Sequence, residues 1–241
     1  IIISSFQIIF MKSKTNQHDD SVTTIAEPSG HQSRRNFLVN TGRVSLLSVV
    51  AITACKKSSS NGGLDLGGGD IGILNYAYAL EQLEAAFYIK VMASPYSSMP
   101  AAEASYLTDI RDHEIAHREF FKAALGSNAI SALEVNFTSI DFTSRTSVLG
   151  TAKAFEDLGV TAYNGAGQLL QDAGYLTLAG KIVSVEARHA ALIRDLISPG
   201  SFADSTALDA NALDMARTPS QVLAIAGAYI TTQIDASHLP S

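Results

Sequence analysis

Beyond residue 69, apolar positions recur mostly at three- and four-residue intervals, the period of helices that bury one face. The first run extends from about Asp70 to Ala93 and stops before Pro95. A second, from about Pro100 to Leu125, aligns Leu107, Ile110, Glu114, His117 and Phe121 on one stripe, with Gly126 as a natural C-terminal stop. Residues 127–144 break the period, and 135–142 (VNFTSIDF) reads as extended. Fully stretched, this segment would reach ~60 Å, enough to cross the length of a bundle.

A third helix is predicted from about Arg145 to Asp172 and a fourth from about Leu176 to Ile197, joined by a tight antiparallel turn at Ala173-Gly174-Tyr175. Ser198-Pro199-Gly200 breaks the fourth. Its Ile182, Glu186, His189 and Ile193 share a face. Residues 201–217 look irregular, and Thr218-Pro219-Ser220-Gln221 then offers a capping Thr, a Pro at the first helical position and a Gln at the third. The short apolar helix this opens, to about Ile234, is expected to pack on the bundle or a partner subunit. The prediction is an all-α fold: a four-helix bundle over 70–198, with a long crossover between helices 2 and 3, and a C-terminal extension over 199–241 that carries a short helix.

Composition agrees. Absence of Trp and abundance of Ala suit closely packed helices, and the 241-residue chain is acidic, with 23 Asp and Glu against 17 Lys and Arg. No basic stripe exists for nucleic acid or an anionic membrane face.

The chemistry lies in a repeated order. Glu81 is followed seven residues later by Tyr88, then by Glu114 with His117; Glu156 is followed seven later by Tyr163, then by Glu186 with His189. The agreement reads as duplication of a helix pair. Residues three apart share a helix face, so Glu114 and His117 can bind one ion, as can Glu186 and His189, with Glu81 and Glu156 as terminal or bridging carboxylates. Four carboxylates and two imidazoles in one bundle core form the ligand set of a dinuclear iron or manganese site. Their charges balance two divalent cations, whereas convergent unpaired carboxylates would cost several kcal/mol each or hold protons. Glu84 lies on the same face as Glu81, but the matching position in the second half is Gly159, so Glu81 is the expected ligand and Glu84 an outer carboxylate or a surface residue. Tyr88 and Tyr163 are expected as packed rings with satisfied hydroxyls. Asp112 and Asp157 are candidates to receive the outer ring protons of the histidines.

The segments 74–88 (LNYAYALEQLEAAFY), 112–121 (DHEIAHREFF) and 186–189 (EARH) resemble the ferritin-like superfamily, nearest the bacterial ferritin-like domain proteins that include desiccation-related proteins. The resemblance covers roughly 70–198 and extends more weakly to 235. It implies a four-helix bundle with a dimetal carboxylate centre and reactions with oxygen, peroxide or ferrous iron of the ferroxidase, peroxidase or catalase kind. It names no single reaction, since relatives include members without known activity. A catalytically silent envelope or stress-related scaffold is the alternative, as is a metal-free ion-pair network in which Arg118, Arg188 and Arg194 neutralise the acids. A rival motif overlaps: His113-Glu114-x-x-His117 matches the HExxH signature of zinc proteases, in which two His bind zinc and Glu is the base. That reading leaves the second Glu-x-x-His and both Glu–Tyr pairs unexplained.

The chain before residue 56 points to export. Residues 33–38 (SRRNFL) resemble a twin-arginine signal, and the apolar run Val44 to Ala54 is shorter than the ~20 residues of a spanning helix. It ends in 52–55 (ITAC), which resembles a lipoprotein cleavage box and makes Cys55, the single cysteine, the expected lipidation site. Residues 1–10 precede Met11, the expected start. The expectation is an export signal over 1–55, a Ser/Gly-rich flexible tether over 56–69 and a periplasmic or envelope location, lipid-anchored at Cys55, with a homodimer compatible.

Overall fold

The computed structural model describes residues 62–241. The expected export signal over 1–55, with its Arg34-Arg35 pair and Cys55, lies outside the described residues, as do residues 56–61 of the expected tether. Five α-helices follow in order: α1 Gly69–Ala93, α2 Ala101–Leu125, α3 Arg145–Gly167, α4 Ala173–Ile197 and α5 Pro219–Ala226. Two short strands, β1 Leu64–Asp65 and β2 Ile234–Asp235, pair in parallel. Among the described residues no helix is long and apolar enough to cross a membrane.

Nearly every side chain of α1 from Gly72 to Tyr88 is buried, so α1 is the central helix rather than an amphipathic one. It forms one hairpin with α2, and α3 forms another with α4. The cross pairs Tyr88–Glu156 and Tyr163–Glu81 show that α1 and α3 run antiparallel, because rising numbers on one helix meet falling numbers on the other.

The crossover between α2 and α3 runs along α1. Ile130 N–H donates to Asn75 Oδ1 and Leu133 N–H to Gln82 Oε1, while further on Phe137 and Phe142 pack on Phe87. Lys90 stands 4.6 Å above the Phe142 ring. Asn75, 3% exposed, also donates to the carbonyls of Leu66 and Asn128, so one amide ties three segments together.

Three boundaries differ from expectation, each for a visible reason. The expected tether does not extend over the described residues 62–69: Leu66 is fully buried and β1 is hydrogen-bonded to β2, which fixes this segment to the domain. The turn between α3 and α4 falls at Gln168–Asp172 rather than at 173–175. Asp172 Oδ1 accepts from Gly174 N–H and Tyr175 N–H and starts α4 early, while the Asp70 carboxylate accepts from Gln171 N–H and Asp172 N–H. The C-terminal helix has the expected Thr218/Gln221 capping box but ends at Ala226, because the following backbone bonds to the crossover, with Asn136 N–H donating to Tyr229 C=O and Thr231 N–H to Glu134 C=O. Gly165 admits the C-terminal segment onto α3: a Cβ there would lie 1.7 Å from Arg217 O.

Candidate metal centre

The helical pitch sets Glu81, Glu114, Glu156 and Glu186 on the inner faces of α1 to α4, each 0% exposed, with His189 at 4%. His117, its side chain 14% exposed, completes the cluster. All six residues singled out from the spacing therefore meet at one place. Two sets of four have ligand atoms lying within 4.8 Å of one another: Glu81, Glu114, His117 and Glu186; and Glu114, Glu156, Glu186 and His189.

The sets are related by the repeat. His117 Nδ1 lies 2.9 Å from Glu186 Oε1, 3.4 Å from Glu81 Oε2 and 3.8 Å from Glu114 Oε2. His189 Nδ1 lies 2.9 Å from Glu114 Oε1, 3.4 Å from Glu156 Oε2 and 3.8 Å from Glu186 Oε2. Glu114 and Glu186 thus present one oxygen to each histidine, while Glu81 and Glu156 each face one. The carboxylates that face both histidines are therefore those of the Glu-x-x-His pairs, and Glu81 and Glu156 lie at the two ends of the cluster.

These atoms converge without pairing. Glu81 Oε2, both oxygens of Glu114 and of Glu186, Glu156 Oε2, His117 Nδ1 and His189 Nδ1 are buried with no aligned hydrogen-bond partner. A distance of 2.9 Å is close enough for a charged contact, but the alignment is not that of a hydrogen bond, and the atoms of each set of four crowd around one point, within 4.8 Å of one another. Orphaned buried groups on this scale are costly unless something occupies that point. Oxygen and imidazole donors without thiolate suit iron or manganese. The residues are compatible with a bound metal.

The remaining oxygens are held from across the repeat. Tyr88 on α1 donates to Glu156 Oε1 on α3, and Tyr163 on α3 donates to Glu81 Oε1 on α1. The expected packed rings with satisfied hydroxyls are present, and each ring serves the other half's glutamate. Burial, then the neighbouring carboxylates, push both hydroxyls well above the ordinary tyrosine range, so they remain donors.

Electrostatics follows from five buried acids around two imidazoles. Burial raises Glu81, moves Glu156 to about 7 and lifts Glu84 and Glu114 well above the usual range. Burial also acts on Glu186, but the attraction of the close His117 and His189 imidazoles wins and takes it down to about 2. Burial disfavours charge on the two imidazoles, yet their carboxylate neighbours lift both to about 12. Without an ion the cluster therefore keeps protons on its histidines, and an ion must displace them.

Glu84 is not a surface residue. It is 4% exposed, and a Cβ at Gly159 would stand 3.2 Å from its Oε1 and 3.7 Å from Glu186 Oε2. The glycine that breaks the repeat makes room for the carboxylate that the first half adds. The two aspartates expected behind the histidines are elsewhere: Asp157 pairs with the buried Arg194 at 2.7 Å, and Asp112 with Arg111 at 2.8 Å. The residue that does reach a histidine is His113, whose Nδ1 is 2.9 Å from His189 Nε2. The sequence holds it only as part of the HExxH string, and neither four-residue set includes it. Among the described residues no arginine is paired with a carboxylate of the cluster. Arg118 pairs with Glu119, and Arg194 with Asp157 and Asp204.

Beside the centre a cavity of about 400 Å³ opens between α2 and α4, lined by Ile110, His113, His117, Arg188, His189 and Leu192. A family model described as ferritin-like domain matches residues 69–199, more than half of the chain. Comparison with curated proteins finds no match.

Proposed function

The chain belongs to the ferritin-like domain family, and from that premise we propose that it binds a dinuclear iron or manganese centre through Glu81, Glu114, His117, Glu156, Glu186 and His189 and acts on dioxygen, peroxide or ferrous iron. The observation that carries the proposal is the set of buried carboxylate and imidazole atoms that converge without hydrogen-bond partners. Bound there, two such ions would pass electrons to dioxygen or peroxide, or take them from ferrous iron or from peroxide. Glu114 and Glu186, each of which faces both histidines, would help to hold both ions. Tyr88 and Tyr163 fix the orientation of the terminal glutamates. The closely packed interior of α1 and α3 keeps bulk water from the opposite side, and the cavity between α2 and α4 offers a small reactant an approach to His117 and His189.

The proposal extends to location. The SRRNFL and ITAC segments support export across the cytoplasmic membrane and lipid attachment at Cys55. Release of the full chain from the membrane fraction by Cys55→Ser is the expected result, and retention would count against the anchor.

Elemental analysis of the full chain, expressed with iron and manganese available, tests the centre. About two iron or manganese ions per chain, absent from a Glu114→Ala/Glu186→Ala variant, is the expected outcome. Ferrous-oxidation and peroxide-consumption assays follow from it. A single zinc per chain would favour hydrolytic chemistry at His113-Glu114-x-x-His117, and a folded, metal-free protein would favour the scaffold.

A further inference from the structure

We propose that His113 is a positioning residue that makes the two metal positions unequal: it accepts the outer ring proton of His189, so the position around His189 holds its ion more tightly than the one around His117. The inference rests on the dinuclear reading above.

Three observations carry it. The first is geometric. His113 Nδ1 and His189 Nε2 are 2.9 Å apart, and the rings are nearly parallel, inclined by 7° with centroids 5.1 Å apart. That separation is a normal hydrogen-bond length between ring nitrogens.

The second is chemical. His189 Nδ1 is aimed at Glu114, Glu156 and Glu186, so to take an ion it must be free of its proton. A neutral imidazole carries its proton on the other nitrogen, which leaves Nε2–H as the donor and His113 Nδ1 as the acceptor. The bond selects the tautomer that can bind, fixes the ring plane and makes Nδ1 a stronger donor to the ion.

The third is the break in the repeat. His113 immediately precedes Glu114, and the residue immediately preceding Glu186 is Val185, which has no acceptor. Among the described residues nothing is hydrogen-bonded to His117 Nε2. Two positions whose inner contacts match at 2.9, 3.4 and 3.8 Å thus differ behind their histidines. His113 is itself exposed and lines the cavity between α2 and α4, so its substitution leaves the buried core untouched.

The test is stepwise Mn(II) binding to the full chain, followed by competition with a chromophoric chelator and by the Mn(II) resonance of singly loaded protein. The unchanged protein is expected to bind in two separable steps. His113→Leu should weaken the tighter step by about ten- to a hundredfold, the range for loss of such a partner, and leave the weaker step in place. His113→Gln, whose amide oxygen can accept the same proton, should recover most of the loss. Val185→His, which supplies the missing acceptor, should strengthen the weaker step. Two indistinguishable steps in the unchanged protein would overturn the inference, as would a His113→Leu variant that loses nothing or loses both steps equally, or a Gln variant no better than Leu. Fewer than two ions in the unchanged protein would overturn the dinuclear reading itself, whereas two ions with steps insensitive to residue 113 would overturn only the role of His113.

Discussion

Around Glu81, His117 Nδ1 stands 3.4 Å from that carboxylate and 2.9 Å from Glu186; around Glu156, His189 Nδ1 stands 3.4 Å from that carboxylate and 2.9 Å from Glu114. Outside this shared frame the halves part. One has Glu84 where the other has Gly159, and one has His113 where the other has Val185. Inner positions face a requirement that admits little variation, since each donor must reach a common point from its own helix. Surrounding positions need only fill space and satisfy hydrogen bonds, which Glu84 and Gly159 do together. The repeat thus keeps the six inner residues in matching places while their surroundings diverge.

The strongest challenge to this symmetry is the role of the shared carboxylates. Glu186→Ala or Glu114→Ala removes an oxygen from both positions, so metal content should fall from about two ions per chain toward none, whereas Glu81→Ala or Glu156→Ala should leave about one. Elemental analysis separates the cases. Equal losses from all four variants would contradict the division into shared and terminal residues.

Next comes pH. His117 and His189, lifted from 6.5 to about 12 in the metal-free fold, bind protons there more tightly than in the unfolded chain. Their stabilisation is complete below pH 6.5 and is lost as pH rises toward 12, so stability should fall across pH 7 to 9 by up to ~1.4 kcal/mol per pH unit for each imidazole. Glu156, raised to about 7, acts in the same direction at lower pH, while Glu186, lowered to about 2, stabilises above pH 4.5 and loses that contribution as pH falls toward 2. In the loaded protein the ions replace the protons, and the slope across pH 7 to 9 should largely vanish. Urea midpoints at pH 7, 8 and 9, with and without chelator, measure both slopes, and equal slopes would show that the histidines do not meet the ions.

The tyrosines give a smaller and symmetrical effect. Tyr88→Phe and Tyr163→Phe each leave a buried glutamate oxygen without its donor, at a cost of about 1–3 kcal/mol. Similar losses from the two are expected in urea denaturation of the metal-free protein. A much larger loss from one would show that the halves differ in their inner frame as well.

The six inner residues were legible in the sequence because helical pitch turns a three-residue spacing into a shared face, wherever the helix ends fall. The sharing of Glu114 and Glu186 was not, since it depends on how far α2 and α4 are shifted along their axes, which no spacing within one helix encodes. The contact of His113 with His189 was not legible because, next to Glu114, His113 lies off the inner face, and its partner is on another helix. The end of α5 was misread because Tyr229 and Ile230 continue an apolar run, while their backbone groups find partners in the distant segment 134–136. Strands of two residues such as β1 and β2 are too short to leave an alternating pattern.

The smallest expected effect bears on Glu84 and Gly159. Alanine in place of a mid-helix glycine ordinarily stabilises by ~1 kcal/mol. Here the added methyl would sit 3.2 Å from Glu84 Oε1, tight enough that the carboxyl must yield by a few tenths of an ångström against Glu186 and its neighbours. Gly159→Ala should therefore gain less than the ordinary amount in the natural background and regain it when Glu84 is also alanine, a coupling of about 0.5–1 kcal/mol. Urea denaturation of the four proteins of the cycle, in chelator, measures it. Absence of coupling would mean that Glu84 does not occupy the space over Gly159, and the glycine would then have to be explained by α3 alone.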